Sequence, residues 1–256
     1  MTQLYEQLLA QVKGGVPLDF WQDLFVNFYQ SFVYADRWRQ YITGVGRTLT
    51  VTVMALIIGV VLGVVVATIR TAHDQQRPGQ RNPLLGVVNF LCKIYTTVIR
   101  GTPMMVQLLI MGFVILTNRS MTREVVGAIT LGINSGAYVA EIVRGGLMSL
   151  DPGQSEAGRS LGLGYLDTMR FIVVPQAFKA ILPSLGNEFI TLLKDTSLIT
   201  VIGGKEVVYA AQAIYAKTYA PMLPLLFVAA IYLVVVLLFT WLQGKLERRL
   251  RESDRR

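Results

Sequence analysis

The sequence predicts an all-α membrane protein, built as a bundle of about five transmembrane helices. Hydrophobic residues occupy 53% of its 256 positions and charged residues only 16%, whereas a typical soluble domain carries about 25% charged residues. Two stretches, residues 48–69 and 220–243, contain no charged side chain, and about 20 apolar residues are enough to cross the hydrocarbon core of a bilayer. The mean hydropathy of +0.49 also excludes an intrinsically disordered chain, which needs low hydrophobicity.

Three further segments, residues 83–116, 125–150 and 171–193, are long and apolar but contain charged residues or prolines. We interpret them as less regular spans, which brings the total to five. Each proline breaks a backbone hydrogen bond, and spanning helices tolerate this where protein or a cavity satisfies the freed group. We expect these prolines to act as hinges within the spans. They are Pro103, Pro175 and Pro183.

Five spans place the two termini on opposite sides of the membrane. If the basic tail, residues 247–256, lies in the cytoplasm, the cytoplasmic segments hold more Lys and Arg than the outer segments. The positive-inside rule therefore favours an N-terminus outside and a C-terminus in the cytoplasm. The same distribution argues against nucleic acid as a partner, despite a net charge of +8, because the basic residues flank apolar stretches.

Residues 1–43 form an N-terminal arm with a pattern of its own. Apolar residues recur at helical spacing and polar residues occupy the other face, which is typical of an interfacial amphipathic helix on the outer leaflet. A helix packed against the bundle fits the same pattern equally well. The remainder is predicted to be one membrane domain, residues 44–246, followed by the basic tail. The recurring apolar residues of the arm are Phe20, Trp21, Leu24, Phe25, Phe28 and Phe32.

Residues able to carry chemistry are sparse. With a single cysteine, Cys92, and a single histidine, His73, the sequence supports neither a disulfide framework nor a Cys/His zinc site. An intramembrane hydrolase would need a serine–histidine or paired-aspartate arrangement inside the spans, and His73 falls in a polar loop. The phosphate-binding pattern GxxxxGK followed by Ser or Thr does not occur either. The sequence therefore predicts a protein that is not an enzyme and binds no metal or cofactor itself.

The segment between the third and fourth spans, residues 151–170, predicts a short capped helix on the cytoplasmic side. Asp151 is a good N-cap, Pro152 suits the first helical position, and Gln154 sits where a capping box needs it. Gly162 is expected to close the helix in the left-handed conformation. Such a helix presents a compact surface to something outside the bilayer.

The same segment carries a recognisable motif. Glu156-Ala157-Gly158, followed at fixed spacing by Gly162, Ile172 and Val174-Pro175, resembles the EAA motif of ABC importer permeases, written EAA-x3-G-x9-I-x-LP. The chain departs from that pattern at Gly158 and Val174. Glycine in place of alanine is expected to soften the helix by about 1 kcal/mol.

Further stretches, among them residues 100–103 and 193–198, resemble the polar amino-acid uptake branch of this family, the histidine, glutamine, glutamate and arginine type. The resemblance covers about residues 44–246. It implies the membrane subunit of an importer in the cytoplasmic membrane of a prokaryote, which moves a polar amino acid by alternating access.

The implied partners are two ABC ATPase subunits that use ATP and Mg²⁺, a second permease copy or paralogue, and an extracytoplasmic amino-acid-binding protein. By this resemblance the loop 151–170 docks on the ATPases and couples them to transport. The implied coupling residues are Gln154, Ser155, Glu156, Ala157, Gly158, Leu161 and Gly162.

Polar and ionisable residues at membrane depth are costly, and they usually face a bundle interior or a wet cavity. Charges of both signs occur in the spans, and a free amino acid also carries both signs, so these residues are candidates for substrate contact. Structural ion pairs and close helix packing are the alternative roles. The candidates are Gln107, Asn134, Ser135, Tyr138, Glu141, Glu188, Lys194 and Asp195.

Two other functions stay open at this point. One is an importer permease for another small solute, such as methionine or a quaternary ammonium osmolyte. The osmolyte usually needs an aromatic cage, and the aromatic residues concentrate in the arm. The other is a membrane sensor or scaffold that transports nothing, which would leave the charges at membrane depth without a task.

Overall fold

The computed structural model describes residues 1–76 and 82–254. Within these ranges the chain is helical and contains no strand, which confirms the predicted all-α fold. Arg77, Arg81, Arg255 and Arg256, which contributed to the predicted sidedness, lie outside the described residues. The helices are α1 Thr2–Lys13, α2 Phe20–Phe28, α3 Trp38–Asp74, α4 Pro83–Gly101, α5 Met104–Ile110, α6 Arg123–Met148, α7 Pro152–Ser160, α8 Tyr165–Thr168, α9 Val174–Asp195, α10 Val207–Thr218 and α11 Met222–Asp254.

Four helices of the described chain, α3, α4, α6 and α11, are long and apolar enough to cross a membrane. The fifth predicted span corresponds to α9, whose 22 residues include charged side chains. Helix α9 nevertheless packs along α3, α6 and α11, so it runs through the bundle with them. One end of the bundle carries residues 1–37 and is called the arm end below. The opposite end carries residues 149–170 and is called the loop end.

The first spanning helix is longer than the uncharged stretch that predicted it. Helix α3 begins at Trp38 and has 37 residues, so the predicted division between the arm and the membrane domain, at residues 43 and 44, falls within this helix. Arg39 and Arg47 interrupted the apolar pattern, yet this turn of helix is held by packing. A Cβ on Gly44 would lie 2.7 Å from the Cα of Val207 on α10.

The second predicted span breaks into two helices at the predicted proline. Because a residue before proline is pushed out of the helical region, Thr102 is extended, with φ −116° and ψ 145°. Pro103 then opens α5. The Gln107 side chain donates to the backbone carbonyls of Ile99 and Thr102, at 2.8 and 3.2 Å, and so satisfies groups that the break frees.

The other two prolines lie in α9. Pro175 is at the start of this helix, directly after a π-helical turn over Met169–Val173. Pro183 lies inside it, and its carbonyl accepts a hydrogen bond from the Gln243 amide of α11 at 3.0 Å. Helix α9 thus continues through Pro183, and a neighbouring span supplies the donor for the carbonyl of this proline.

Helices α3 and α6 pack through glycines that leave no room for a side chain. A Cβ on Gly63 would lie 2.5 Å from Val139 Cγ1 and 2.9 Å from the backbone nitrogen of Ala140. A Cβ on Gly59 would lie 2.8 Å from the Ser135 hydroxyl. Small residues at such positions let two backbones approach closely, which is how many membrane helices associate.

We therefore expect Gly63→Ala to lower the free energy of unfolding by about 1–3 kcal/mol, because the new methyl group overpacks the contact. Gly46→Ala is the matched control on the same helix, since beyond the neighbouring backbone of α3 no described atom lies within 4 Å of its Cβ position. There, only the helix propensity gain of about 1 kcal/mol applies. Thermal unfolding of the two variants in detergent measures the difference. Equal melting temperatures would show that the α3–α6 contact is not tight.

The segment between α9 and α11 contains a helix that the sequence did not predict. A 3₁₀ stretch over Thr196–Ile202 ends at Gly203 in the left-handed conformation, with φ +85°, and α10 follows. Glu206, an uncommon N-cap residue, begins α10 by accepting hydrogen bonds from the backbone N–H groups of Val208 and Tyr209. Its carboxylate also accepts from the hydroxyls of Thr48 on α3 and Tyr232 on α11, at 3.3 and 2.9 Å. Glu206 therefore ties three helices together at the arm end.

Burial raises the pKa of the Glu206 carboxyl from 4.5 to about 7, against the opposing effect of the hydrogen bonds that it accepts. The folded state thus holds this proton more tightly than the unfolded chain does. As a result, the contribution of Glu206 to the free energy of unfolding falls as pH rises from 4.5 to about 7.

We expect Glu206→Gln to remove this slope and to be more stable than the parent at pH 8, by up to about 3 kcal/mol. Melting temperatures of both proteins between pH 5 and 8 test this expectation. Parallel pH profiles for parent and variant would contradict it.

Candidate functional site

A polar stripe runs along one face of α6. Asn134, Tyr138 and Glu141 are spaced four and three residues apart, so they lie on the same side of the helix. Asn134 lies about 16 Å from the arm end of α6, near the middle of its length. Its amide donates to the Gln107 side-chain carbonyl on α5 at 3.0 Å. The fold thus brings together two residues that the sequence selected separately.

One turn further along the stripe, Tyr138 meets a cation that the sequence analysis did not select. The guanidinium of Arg100, from the end of α4, lies 5.2 Å from the centroid of the Tyr138 ring. The side chain of Arg100 is 43% exposed, and Tyr138 is 39% exposed. Both therefore line an open side of this single chain.

Glu141 lies at the centre of a charge cluster. Its carboxylate contacts the guanidinium of Arg70 on α3 directly, that of Arg144 at 3.2 Å and that of Arg100 at 4.0 Å. The Arg70 Nε is buried and has no hydrogen-bond partner among the described residues. One carboxylate thus faces three guanidinium groups in the described chain, and this part of the stripe carries an excess of positive charge.

Glu141 and Arg144 are three residues apart on one helix, a spacing that allows a pair one turn apart, whereas the local sequence does not point to Arg70. It is 71 positions from Glu141, and no local pattern connects residues that far apart. Only the close packing of α3 on α6 brings them into contact.

The other predicted contact residues lie elsewhere. Ser135 is fully buried on the α3 side of α6, and its hydroxyl donates to a carboxylate oxygen of Glu188 on α9 at 2.6 Å. Lys194 is exposed and Asp195 is half-buried at the arm end of α9. The hydrogen bonds and ion pairs of the described residues do not join these four side chains to the Asn134–Tyr138–Glu141 stripe.

At the loop end, α7 begins at Pro152 as predicted. Asp151 caps it by accepting a hydrogen bond from the Gly153 N–H at 2.8 Å. The predicted capping box does not form, because the Gln154 side-chain carbonyl accepts from the Gln176 amide of α9 at 3.0 Å instead. Gly162 follows α7 in the left-handed conformation with φ +81°, as predicted.

One side of α7 is held against the chain and the other is uncovered. Gly158 is buried, and the side chains of Thr168 and Ile172 occupy the space that a Cβ on this residue would need, at 2.9 and 3.0 Å. Glu156 and Ala157 are exposed, Ser155 is half-buried, and Leu161 is 80% exposed. The side of α7 that carries Glu156 and Ala157 is therefore uncovered, and the Leu161 side chain projects beside it just after the helix ends.

Among residues 1–76 and 82–254, no group of three His, Cys, Asp or Glu side chains could hold a metal ion. The features that stand out are the polar stripe at membrane depth and the exposed helix at the loop end. Together with the bundle of spanning helices, they define a membrane component of a transport system.

Residues 84–252 match the family of binding-protein-dependent transport system inner membrane components, and the chain belongs to this family. It is 36% identical to the arginine transport system permease protein ArtQ of Bacillus subtilis, over 82% of this chain and 92% of that protein. It is 34% identical to the glutamine transport system permease protein GlnP of Escherichia coli K12, over the same shares of the two chains.

A solved structure has the same fold. The chain superposes on an amino acid ABC transporter, crystallised with histidines, with a TM-score of 0.72 and 39% identity. The match covers 82% of this chain and 94% of that one.

Proposed function

We propose that this chain is the permease subunit of an ATP-driven importer that moves a polar amino acid across the membrane by alternating access. The observation that carries the proposal is the Asn134–Tyr138–Glu141 stripe, which sets amide and charged groups along one half-open face at membrane depth. Ionisable groups there normally line a polar pathway. The names of the similar proteins, an arginine and a glutamine permease, support an amino acid as the cargo.

In this proposal the stripe lines the substrate pathway, and a second copy or a paralogue of the chain closes its open side. Gln107, Asn134, Tyr138 and Glu141 contact the amino acid. The excess positive charge around Glu141 suits the carboxylate that every amino acid carries. Ser135, Glu188, Lys194 and Asp195 then support the pathway from α6 and α9.

The exposed face of α7 is proposed to dock on the ATPase subunits, which use ATP and Mg²⁺. Movement of the ATPase subunits then reaches α9 through two connections. One is the hydrogen bond between Gln154 and Gln176, and the other is the close packing of Gly158 on Thr168. Pro103, Pro175 and Pro183 provide hinges. The loop end then lies in the cytoplasm, and the N-terminus lies outside, where an amino-acid-binding protein delivers the substrate.

The other candidate functions are less well supported. A quaternary ammonium site usually uses an aromatic cage, and the stripe contributes a single tyrosine among its three residues. A sensor that transports nothing gives the polar stripe no role. Methionine differs from polar amino acids only in its side chain, so a substrate assay must decide that alternative.

The direct test measures ATP hydrolysis in lipid vesicles that contain this chain, its ATPase and a binding protein. Glutamate, glutamine, arginine, histidine and methionine are added in turn. We expect one polar amino acid to stimulate hydrolysis. Stimulation by methionine alone would move the cargo to another class. Failure of any ATPase to co-purify would overturn the transporter proposal and favour the sensor.

A further inference from the structure

The N-terminal arm lies outside the matched family range, and the proposed transport function does not explain how it is built. Helices α1 and α2 pack against each other through a small core of Tyr5, Leu8, Val26 and Tyr29. The rings of Tyr5 and Tyr29 stack with their centroids 4.3 Å apart. The arm is therefore a folded helical hairpin.

Helix α2 has three distinct faces. Phe25, Val26 and Tyr29 face α1, whereas Asp23 is exposed on a polar side with Asn27. The remaining side is apolar and uncovered: Phe20 is 70% exposed, Trp21 74% and Phe28 46%. With 100° between residues, Phe20, Trp21, Leu24 and Phe28 fall within an arc of about 100°. This apolar face of α2 contains no charged residue.

Aromatic packing and a sharp turn connect the arm to the bundle. Phe32, just after α2, packs against Tyr41 of α3 and Phe227 of α11, with ring centroids 5.7 and 4.7 Å apart. Ala35 and Asp36 both have φ of +53°, a conformation that makes a sharp turn before α3. The buried Arg37 donates to the Gln30 carbonyl at 2.6 Å, and this hydrogen bond spans the turn.

The apolar face of α2 is continuous with the outer surface of the spanning helices. Phe28 lies 5.0 Å from Phe32 between ring centroids, and Phe32 in turn contacts the start of α11. After this turn, Trp38 and Ile42 of α3 are 45% and 62% exposed. Because the exposed sides of α3 and α11 face lipid in the membrane, the uncovered aromatic face continues a lipid-facing surface.

We infer that the apolar face of α2, Phe20, Trp21, Leu24 and Phe28, inserts into the headgroup boundary of the bilayer and anchors the arm beside the bundle. Tryptophan and other aromatic side chains favour this depth. Residues 1–36 contain more acidic than basic residues, so the attraction is apolar and does not depend on anionic lipid. In the proposed orientation, this is the outer leaflet.

The test uses the full chain reconstituted into phosphatidylcholine vesicles. The sequence contains three tryptophans, so Trp38→Phe with Trp241→Phe leaves Trp21 as the only one. We expect lipids brominated near the headgroup end of the acyl chain to quench Trp21 strongly and acrylamide in the water to quench it weakly. Lipids brominated deeper in the chain should quench it less.

A second measurement avoids reliance on the tryptophan variants. In a Cys92→Ala background, Trp21→Cys and Asp23→Cys place a spin label on opposite sides of α2. We expect the label at position 21 to be relaxed more by oxygen and the label at position 23 more by a water-soluble nickel chelate. The variants must retain the elution volume of the parent.

Strong quenching of Trp21 by acrylamide, or equal accessibility at the two positions, would overturn the inference. So would protection of Trp21 from acrylamide only after the binding protein is added, because the face would then be a protein docking surface. The inference concerns the arm alone and is independent of which substrate is transported.

Discussion

Replacing Glu141 with glutamine is expected to lower the free energy of unfolding by about 3 kcal/mol, because it removes the acidic partner that three partly buried cations share within the described residues. Arg70, Arg144 and Arg100 all lie within 4.0 Å of this carboxylate. Without it, their positive charges repel one another at membrane depth. Unfolding of the purified chain in detergent, followed by circular dichroism, measures the loss. Transport should fall with it.

Glu124→Gln is the matched control on the same helix. Glu124 pairs with a single guanidinium, that of Arg47, at 3.9 Å, and Arg47 is 46% exposed. The loss there should stay below about 1 kcal/mol, as for surface pairs. The double variant Glu141→Gln with Arg70→Gln should recover part of the stability, because one unpaired charge is removed with its partner. If the double variant is no more stable than Glu141→Gln alone, Arg70 is not the dominant partner of Glu141.

The second large effect is expected at α7. Glu156→Lys should weaken binding of the ATPase subunits at least about tenfold, which corresponds to 1.4 kcal/mol, and should abolish substrate-stimulated hydrolysis. Glu156 is exposed and takes no part in the contacts of Gly158 that hold α7. The change should therefore leave the fold of the permease intact. Co-purification of the ATPase and hydrolysis in vesicles give the two readouts.

Glu6→Lys makes the same charge reversal at the arm end, where Glu6 is also exposed, and should change neither readout. Leu161→Asp should weaken ATPase binding as well, since Leu161 is the most exposed apolar side chain beside α7. Normal stimulation in both Glu156→Lys and Leu161→Asp would rule out α7 as the coupling surface.

Local patterns in the sequence predicted the parts of the fold that local physics determines. The uncharged stretches predicted α3 and α11, and Pro103 predicted the break before α5. Asp151 and Gly162 predicted the two ends of α7. Helix α10 was not predicted because glutamate is an uncommon N-cap residue. Glu206 serves as the N-cap here while its carboxylate is held by hydrogen bonds from Thr48 and Tyr232.

The candidate site was predictable only in part. Gln107, Asn134, Tyr138 and Glu141 were selected because polar groups are rare at membrane depth. Asn134, Tyr138 and Glu141 form one stripe because of their spacing on α6, whereas the contact of Gln107 with Asn134 depends on the packing of α5 on α6. The partners of Glu141 come from three helices, and the charge balance of the site follows from this tertiary contact.

The glycines between α3 and α6 have a consequence for movement. Where one backbone lies directly against its neighbour, the two helices must separate before they can slide past each other, so we expect α3 and α6 to move as one rigid body. Arg70, Glu141 and Arg144 all belong to these two helices and would then stay together. Arg100 belongs to α4 and is the most exposed of the three cations. It is therefore the charge that a change of conformation can carry away from the others.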